Sequence, residues 1–165
     1  MSDSSLKIPF PPVMKIIPIL ILFLSLCCHA FAQRENPNYD PDLAEELGAD
    51  IYGMKSYILV ILKTGSNLTE DRDFIQNSFA GHLQNIHRLV ETKELIVAGP
   101  MFPNPQNYRG IFILNVDSIE KANELLQTDP AIKEKLLAAD LYQWYGSAAL
   151  SKYLDTADLI WNQKP

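Results

Sequence analysis

The hydrophobic positions change rhythm along the chain, and each rhythm predicts an element. Tyr57-Ile58-Leu59-Val60-Ile61-Leu62 is a continuous apolar run rich in β-branched residues, which predicts a strand over 56–62, ended by Lys63-Thr64-Gly65-Ser66-Asn67. From 70 to about 92 the spacing becomes helical: Ile75, Phe79, Leu83, Ile86 and Val90 fall on one stripe, and Asn67 or Thr69 offers the N-cap. Residues 95–98 form a short apolar strand that stops at Gly99-Pro100. A proline-rich loop then leads to Arg109, and 110–116 is the third strand. Asp117 with Glu120 reads as a capping box for a helix over 118–127. Asp129-Pro130 opens a further helix over 131–137, and 140–145 is the fourth strand.

The order β-α-β-β-α-β predicts a ferredoxin-like α+β fold, an antiparallel sheet with its helices on one face. The far face of such a sheet is polar when it meets water, and here it is not. Ile58, Val60 and Leu62 point one way, and Tyr57, Leu59 and Ile61 the other; Ile111 and Ile113 oppose Phe112, Leu114 and Val116. Two apolar faces need two covers. The helices supply one, and the same sheet of a second copy, in a two-fold homodimer, is the expected second. The C-terminal extension 147–165, carrying Leu150, Tyr153, Leu154, Leu159, Ile160 and Trp161, is the competing cover.

The amino-terminal pattern is of another kind. Met14-Lys15 is followed by an apolar run of about eleven residues, against the roughly twenty needed to span a bilayer, and Ala30-Phe31-Ala32 fits a small-residue cleavage site. We read 1–32 as a secretory signal peptide, with Met14 as the natural start because Asp3 and several prolines precede the basic residue. The mature protein is then periplasmic or secreted. Acylation of Cys27 or Cys28 is the lesser alternative, since Leu26 stands where a lipobox takes a small residue. Cleavage after Ala32 removes both cysteines and hence disulfide chemistry. Taking Lys7, Lys15 and Asp3 from the 14 basic and 20 acidic side chains leaves 12 and 19, a net charge of −7. That balance argues against nucleic acid and anionic membranes as partners. An acidic N-terminal extension, 33–53, holds a short helix between Asp40-Pro41 and Gly48, and the domain proper covers 54–146.

Several residues fall together in a known order: His82-Leu83, Ala98-Gly99-Pro100, Gly110, Ser118 with Glu120 and Ala122, Asp129-Pro130, and Trp144. On these the chain from about 55 to 145 resembles the YCII-related (YciI-like) family of dimeric α+β barrel proteins. It departs from the family at Lys93-Glu94, where a glycine is usual, and at Gln143, where a proline is. The resemblance implies a site in which His82 pairs with Asp129. Relatives of that family include an enzyme that removes chloride from a chlorinated hydroquinone.

Such a pair is chemically sensible, because a carboxylate fixes the tautomer of an imidazole that moves protons. Each residue also has a plain structural reading: Asp129 before Pro130 is a good N-cap, and a histidine beside an apolar stripe is often merely packed. His82 falls about 60° from the stripe's centre at 100° per residue. It stands about 140° from His87 around the helix, so the two do not share a metal ion. Arg109 is the candidate for gripping an anionic or phenolic group, with Gly99, Pro100 and Trp144 as further substrate-binding candidates. No metal cluster, phosphate loop or serine triad stands out, and no cofactor is expected. Two functions are consistent with this pattern. One is a small exported enzyme using His82 and Asp129 in acid-base chemistry on a small cyclic or aromatic compound. The other is a non-catalytic dimeric module that binds a small ligand or another protein.

Overall fold

Strand β1 (Met54–Thr64) is central in the sheet and pairs on both sides. It runs antiparallel to β4 (Leu137–Ser147) along its whole length, from Met54 opposite Ser147 to Thr64 opposite Leu137. Its other neighbour is β3 (Tyr108–Leu114), which in turn pairs antiparallel with the edge strand β2 (Leu95–Pro100). The order β2-β3-β1-β4 is that of a ferredoxin-like sheet, so the α+β fold class expected from the sequence is the one observed. The computed structural model describes residues 36–162; the signal segment, Met14, the cysteines and the cleavage site at Ala32 lie outside the described residues. The unit that holds the sheet and its helices begins at Asp40.

Helices α2 (Arg72–Glu91), α3 (Ile119–Leu126) and the single turn α4 (Pro130–Lys133) contribute to the core on one side of the sheet. Ile58, Val60, Leu62, Phe112 and Leu114 meet Leu89 of α2, Leu125 and Leu126 of α3 and Ala131 of α4 in one buried cluster. On the other side, Tyr57 is fully buried, but Leu59, Ile61, Ile111 and Ile113 are half-exposed. The termini shield one end of that face. Helix α1 (Pro41–Leu47), a 3-10 turn (Ala148–Lys152) and helix α5 (Tyr153–Ile160) gather there. Tyr57 Oη donates to Ser147 O at 2.9 Å, and Lys152 pairs with Glu46 at 3.1 Å. A bulge at Ile96 brings that residue into a cleft with Leu47 and Leu154.

Several boundaries differ from the sequence pattern. β1 and β4 outrun their apolar runs because ladder hydrogen bonds need only backbone. β2 continues through Gly99 and Pro100 instead of turning there; an edge strand tolerates proline, whose missing N–H would face outward. Asp71, not Asn67 or Thr69, caps α2, accepting from Asp73 N and Phe74 N. Ser118, not Asp117, caps α3. The helix after Pro130 is one turn long, because Leu137 already belongs to β4.

The largest correction concerns α2. Its buried residues are Ser78, His82, Asn85 and Leu89, whereas Leu83, in the middle of the apolar stripe, is 52% exposed. The helix turns a face of mixed size and polarity to the sheet and α4, and the stripe partly lines a cavity.

Candidate functional site

Local structure on two elements brings the site together. Gly81 precedes His82 on α2, and a Cβ there would lie 2.7 Å from Pro130 Cγ. The missing side chain lets the start of α4 close on the helix beside His82. Asp129 is the N-cap of that turn: its Oδ1 accepts from Ala131 N at 2.9 Å and Ile132 N at 3.4 Å. Its other oxygen, Oδ2, lies 2.6 Å from His82 Nδ1. Asp129 is 0% exposed and His82 9%.

A second set of polar contacts fixes the approach to Asp129. Arg88 Nη2 donates to Asn85 Oδ1 and to Thr128 Oγ1, both at 2.8 Å, and Thr128 Oγ1 donates to Leu125 O at 2.6 Å. Asn85 is buried while Arg88 and Thr128 are exposed, and together they tie α2 to the turn that carries Asp129. The buried Asn85 amide would be costly to leave unpaired, which favours this arrangement.

The imidazole is fixed on its faces as well. Phe112 stacks on it at 5.9 Å between centroids with planes 21° apart, and Phe79 meets it edge-on at 6.0 Å. An ionised carboxylate only accepts, which assigns a proton to Nδ1. Nε2 makes no hydrogen bond among the described residues, and no buried side-chain nitrogen or oxygen there lacks a partner, so Nε2 is the nitrogen reached from outside. It is the atom at which this arrangement can accept or deliver a proton.

His82 opens on a cavity of about 370 Å³ whose walls include Leu62, Phe79, Leu83, Ile86 and Phe112. The volume is in the range of small-molecule sites. Of the substrate-binding candidates, Arg109, Gly99 and Pro100 line this cavity. Gly99 does so with backbone; it pairs with Ile111, and a Cβ there would meet nothing within 4 Å. Trp144 does not line it. It pairs with Tyr57 on the opposite face of the sheet, ring centroids 5.6 Å apart, and lies so close over Gly146 that a Cβ there would be 2.5 Å from the indole. Phe102 is in the exposed loop and Tyr108 in a neighbouring cleft.

Two contributions to the site leave no mark in the sequence pattern. His87 lines the same cavity as His82, because the helix flank between them is the cavity wall. Phe112 is recognisable only as a core strand residue, although it is the surface on which the imidazole lies. Among the described residues no three histidine, cysteine, aspartate or glutamate side chains are grouped to hold a metal ion.

No protein-family model matches the chain, and no curated protein matches its sequence. Several solved structures are similar to it. One is the 5-chloro-2-hydroxyhydroquinone dehydrochlorinase of Burkholderia phenoliruptrix AC1100, in complex with 2,5-dihydroxybenzoquinone. It is 19% identical, with a TM-score of 0.40, over 53% of this chain and 92% of that one.

Proposed function

We propose that this chain is a small exported enzyme that moves a proton on a cyclic or aromatic small molecule held beside His82. Nε2 takes the proton from the substrate, Asp129 holds the ring while it is charged, and the same nitrogen returns the proton to the product or leaving group. The observation that carries this reading is the 2.6 Å contact between His82 Nδ1 and the buried Asp129, behind a ring whose other nitrogen is accessible. The half-exposed Leu59, Ile61, Ile111 and Ile113 support a homodimer built on that face of the sheet. Export rests on the amino-terminal pattern, and N-terminal sequencing of the fractionated protein tests it: Gln33 is the expected first residue, and an acylated Cys27 or Cys28 contradicts it.

A second reading has an observation of its own. Asp129 caps α4, so its burial needs no chemistry. On that reading the chain is a ligand-binding module. Screening phenolic and lactone compounds for turnover, with soaked crystals of those that bind, separates the two. The enzyme reading expects turnover that His82→Gln abolishes and a ligand within hydrogen-bond reach of Nε2. Binding without turnover, unchanged by His82→Gln, contradicts it.

A further inference from the structure

The space beside His82 is lined by one arginine and, among the described residues, by no aspartate or glutamate. Arg109 lines the His82 cavity and two adjoining clefts, one with Thr64, Asn67 and Leu136, the other with Pro100, Asn104 and Tyr108. Among the described residues no aspartate or glutamate lines any of the three, although the chain has 20 acidic side chains against 14 basic. Asp129 stands behind the imidazole with both oxygens engaged.

An irregularity in the sheet puts Arg109 there. Gly110 is opposite Leu62 and Tyr108 is opposite Lys63, so Arg109 is the extra residue of a β-bulge. In a regular ladder position 109 would share a face with Ile111 and Ile113, away from the helices. The bulge turns it to the side of Phe79, His82 and Phe112, and re-aiming a side chain is what bulges near functional sites do. The loop before it is firmly built. Asn104 Nδ2 donates to Phe102 O and Tyr108 O, Asn104 Oδ1 accepts from Tyr108 N, and Met101 N donates to Arg109 O. Among the described residues the Arg109 guanidinium has no ion pair or hydrogen bond, whereas Arg88 is committed to Asn85 and Thr128, and Lys63 to Asp140.

We propose that Arg109 is a specificity-determining residue that takes the carboxylate of the ligand, which makes that ligand a small cyclic or aromatic acid with its ring against Phe79, Ile86 and Phe112. A guanidinium presents a planar fork of donors that matches the two oxygens of a carboxylate, and the apolar walls beside it strengthen the pairing once water is displaced. This deepens the proton-transfer reading and rests on it only in treating the ligand as a substrate.

The probes are benzoate and benzamide, of the same shape and different charge, titrated into the full mature protein by calorimetry and by NMR shifts of cavity residues. Benzoate is expected to bind at least about tenfold more tightly than benzamide. Arg109→Gln removes that preference by weakening benzoate alone, and Arg109→Lys keeps part of it by retaining charge without the fork. Arg109 is exposed, so both variants retain the fold. Equal binding of the two probes, no binding of benzoate at millimolar concentration, or benzoate binding unchanged in Arg109→Gln overturns the proposal. So does tighter, Arg109-dependent binding of ionised 4-nitrophenol, which would assign a phenolate in place of the carboxylate. His82→Gln separates this from the proton-transfer reading. Arg109-dependent benzoate binding alongside turnover indifferent to His82 leaves the carboxylate site standing and removes the acid-base pair.

Discussion

His82 Nδ1 and Asp129 Oδ2 are 2.6 Å apart, and the same carboxylate caps α4 through Oδ1. One carboxylate thus makes both contacts, the cap with one oxygen and the imidazole with the other. The cap holds the carboxylate in place, and its second oxygen is left to hold the imidazole.

Gly81 leaves room for Pro130 beside those two residues. Alanine in a helix is favoured over glycine by roughly 0.5–1 kcal/mol, yet a Cβ here would stand 2.7 Å from Pro130 Cγ. We expect Gly81→Ala to push α4 away from α2 and to lengthen the His82–Asp129 contact. A crystal structure of the variant reads that distance. A contact still at its original length would show that the glycine has no part in positioning the pair.

Lys93 ends α2 in the left-handed conformation, φ 59, with Lys93 N bonded to Val90 O and Glu94 N to Leu89 O. This is a Schellman ending, in which glycine is the usual residue. Lys93→Gly should stabilise the fold by about 1 kcal/mol by removing the left-handed penalty. Urea denaturation checks it, and an unchanged or lower midpoint would contradict the expectation.

Tyr145 donates to Asp50, linking β4 to the segment before β1. That bond first, with the N–H groups of Met54 and Tyr52, holds the Asp50 carboxyl below its usual 3.8, against an opposing effect of desolvation. The same bond first holds the Tyr145 phenol above its usual 10.0. A depressed carboxyl contributes stability above the ordinary carboxylate value and loses it as pH falls through the folded value. A raised phenol loses its contribution as pH climbs past about 10. The melting-temperature difference between wild type and Tyr145→Phe should therefore be small, since the pair is exposed. It should be present at neutral pH and fade at both extremes. A difference that is constant across pH would show that the ring, not the bond, is responsible.

The outer sheet face makes a separate prediction. Ile113 is opposite Leu59 and Val97 in the ladders, near the middle of the half-exposed apolar surface. Sedimentation at micromolar concentration should give twice the mature mass, and Ile113→Lys should give the monomer. A wild-type monomer would mean that this face is not a subunit interface.

The strands and their two faces are legible because a sheet writes its faces into the sequence with period two, and Ile58, Val60 and Leu62 do separate from Leu59 and Ile61. The orientation of α2 is not. Hydrophobicity locates the stripe from Ile75 to Val90, while Gly81 and the partners of Asn85 and His82 decide what the helix buries. Asp129, and Thr128, which Arg88 joins to Asn85, are more than 40 residues from His82 and Asn85, beyond the reach of any local pattern. Arg109 is recognisable as a cation after a loop, but the bulge that turns it toward His82 depends on register with β1. Trp144 has the character of a pocket residue, and only its pairing with Tyr57 puts it on the other face.

The most direct test is Asp129→Asn, read by the ¹⁵N spectrum of the His82 ring and by the melting temperature. Asparagine brings one acceptor where aspartate has two, so it cannot serve both the cap and Nδ1. It caps a helix about as well as aspartate, and with its oxygen toward Ala131 N it presents an amide N–H₂ to His82. In the neutral ring, wild-type His82 should carry its proton on Nδ1, facing Asp129, and leave Nε2 free. Asp129→Asn should move that proton to Nε2, with stability changed by less than about 1 kcal/mol. A wild-type ring already protonated at Nε2, or a tautomer that Asp129→Asn leaves untouched, would contradict the assignment of His82 and Asp129 as an acid-base pair.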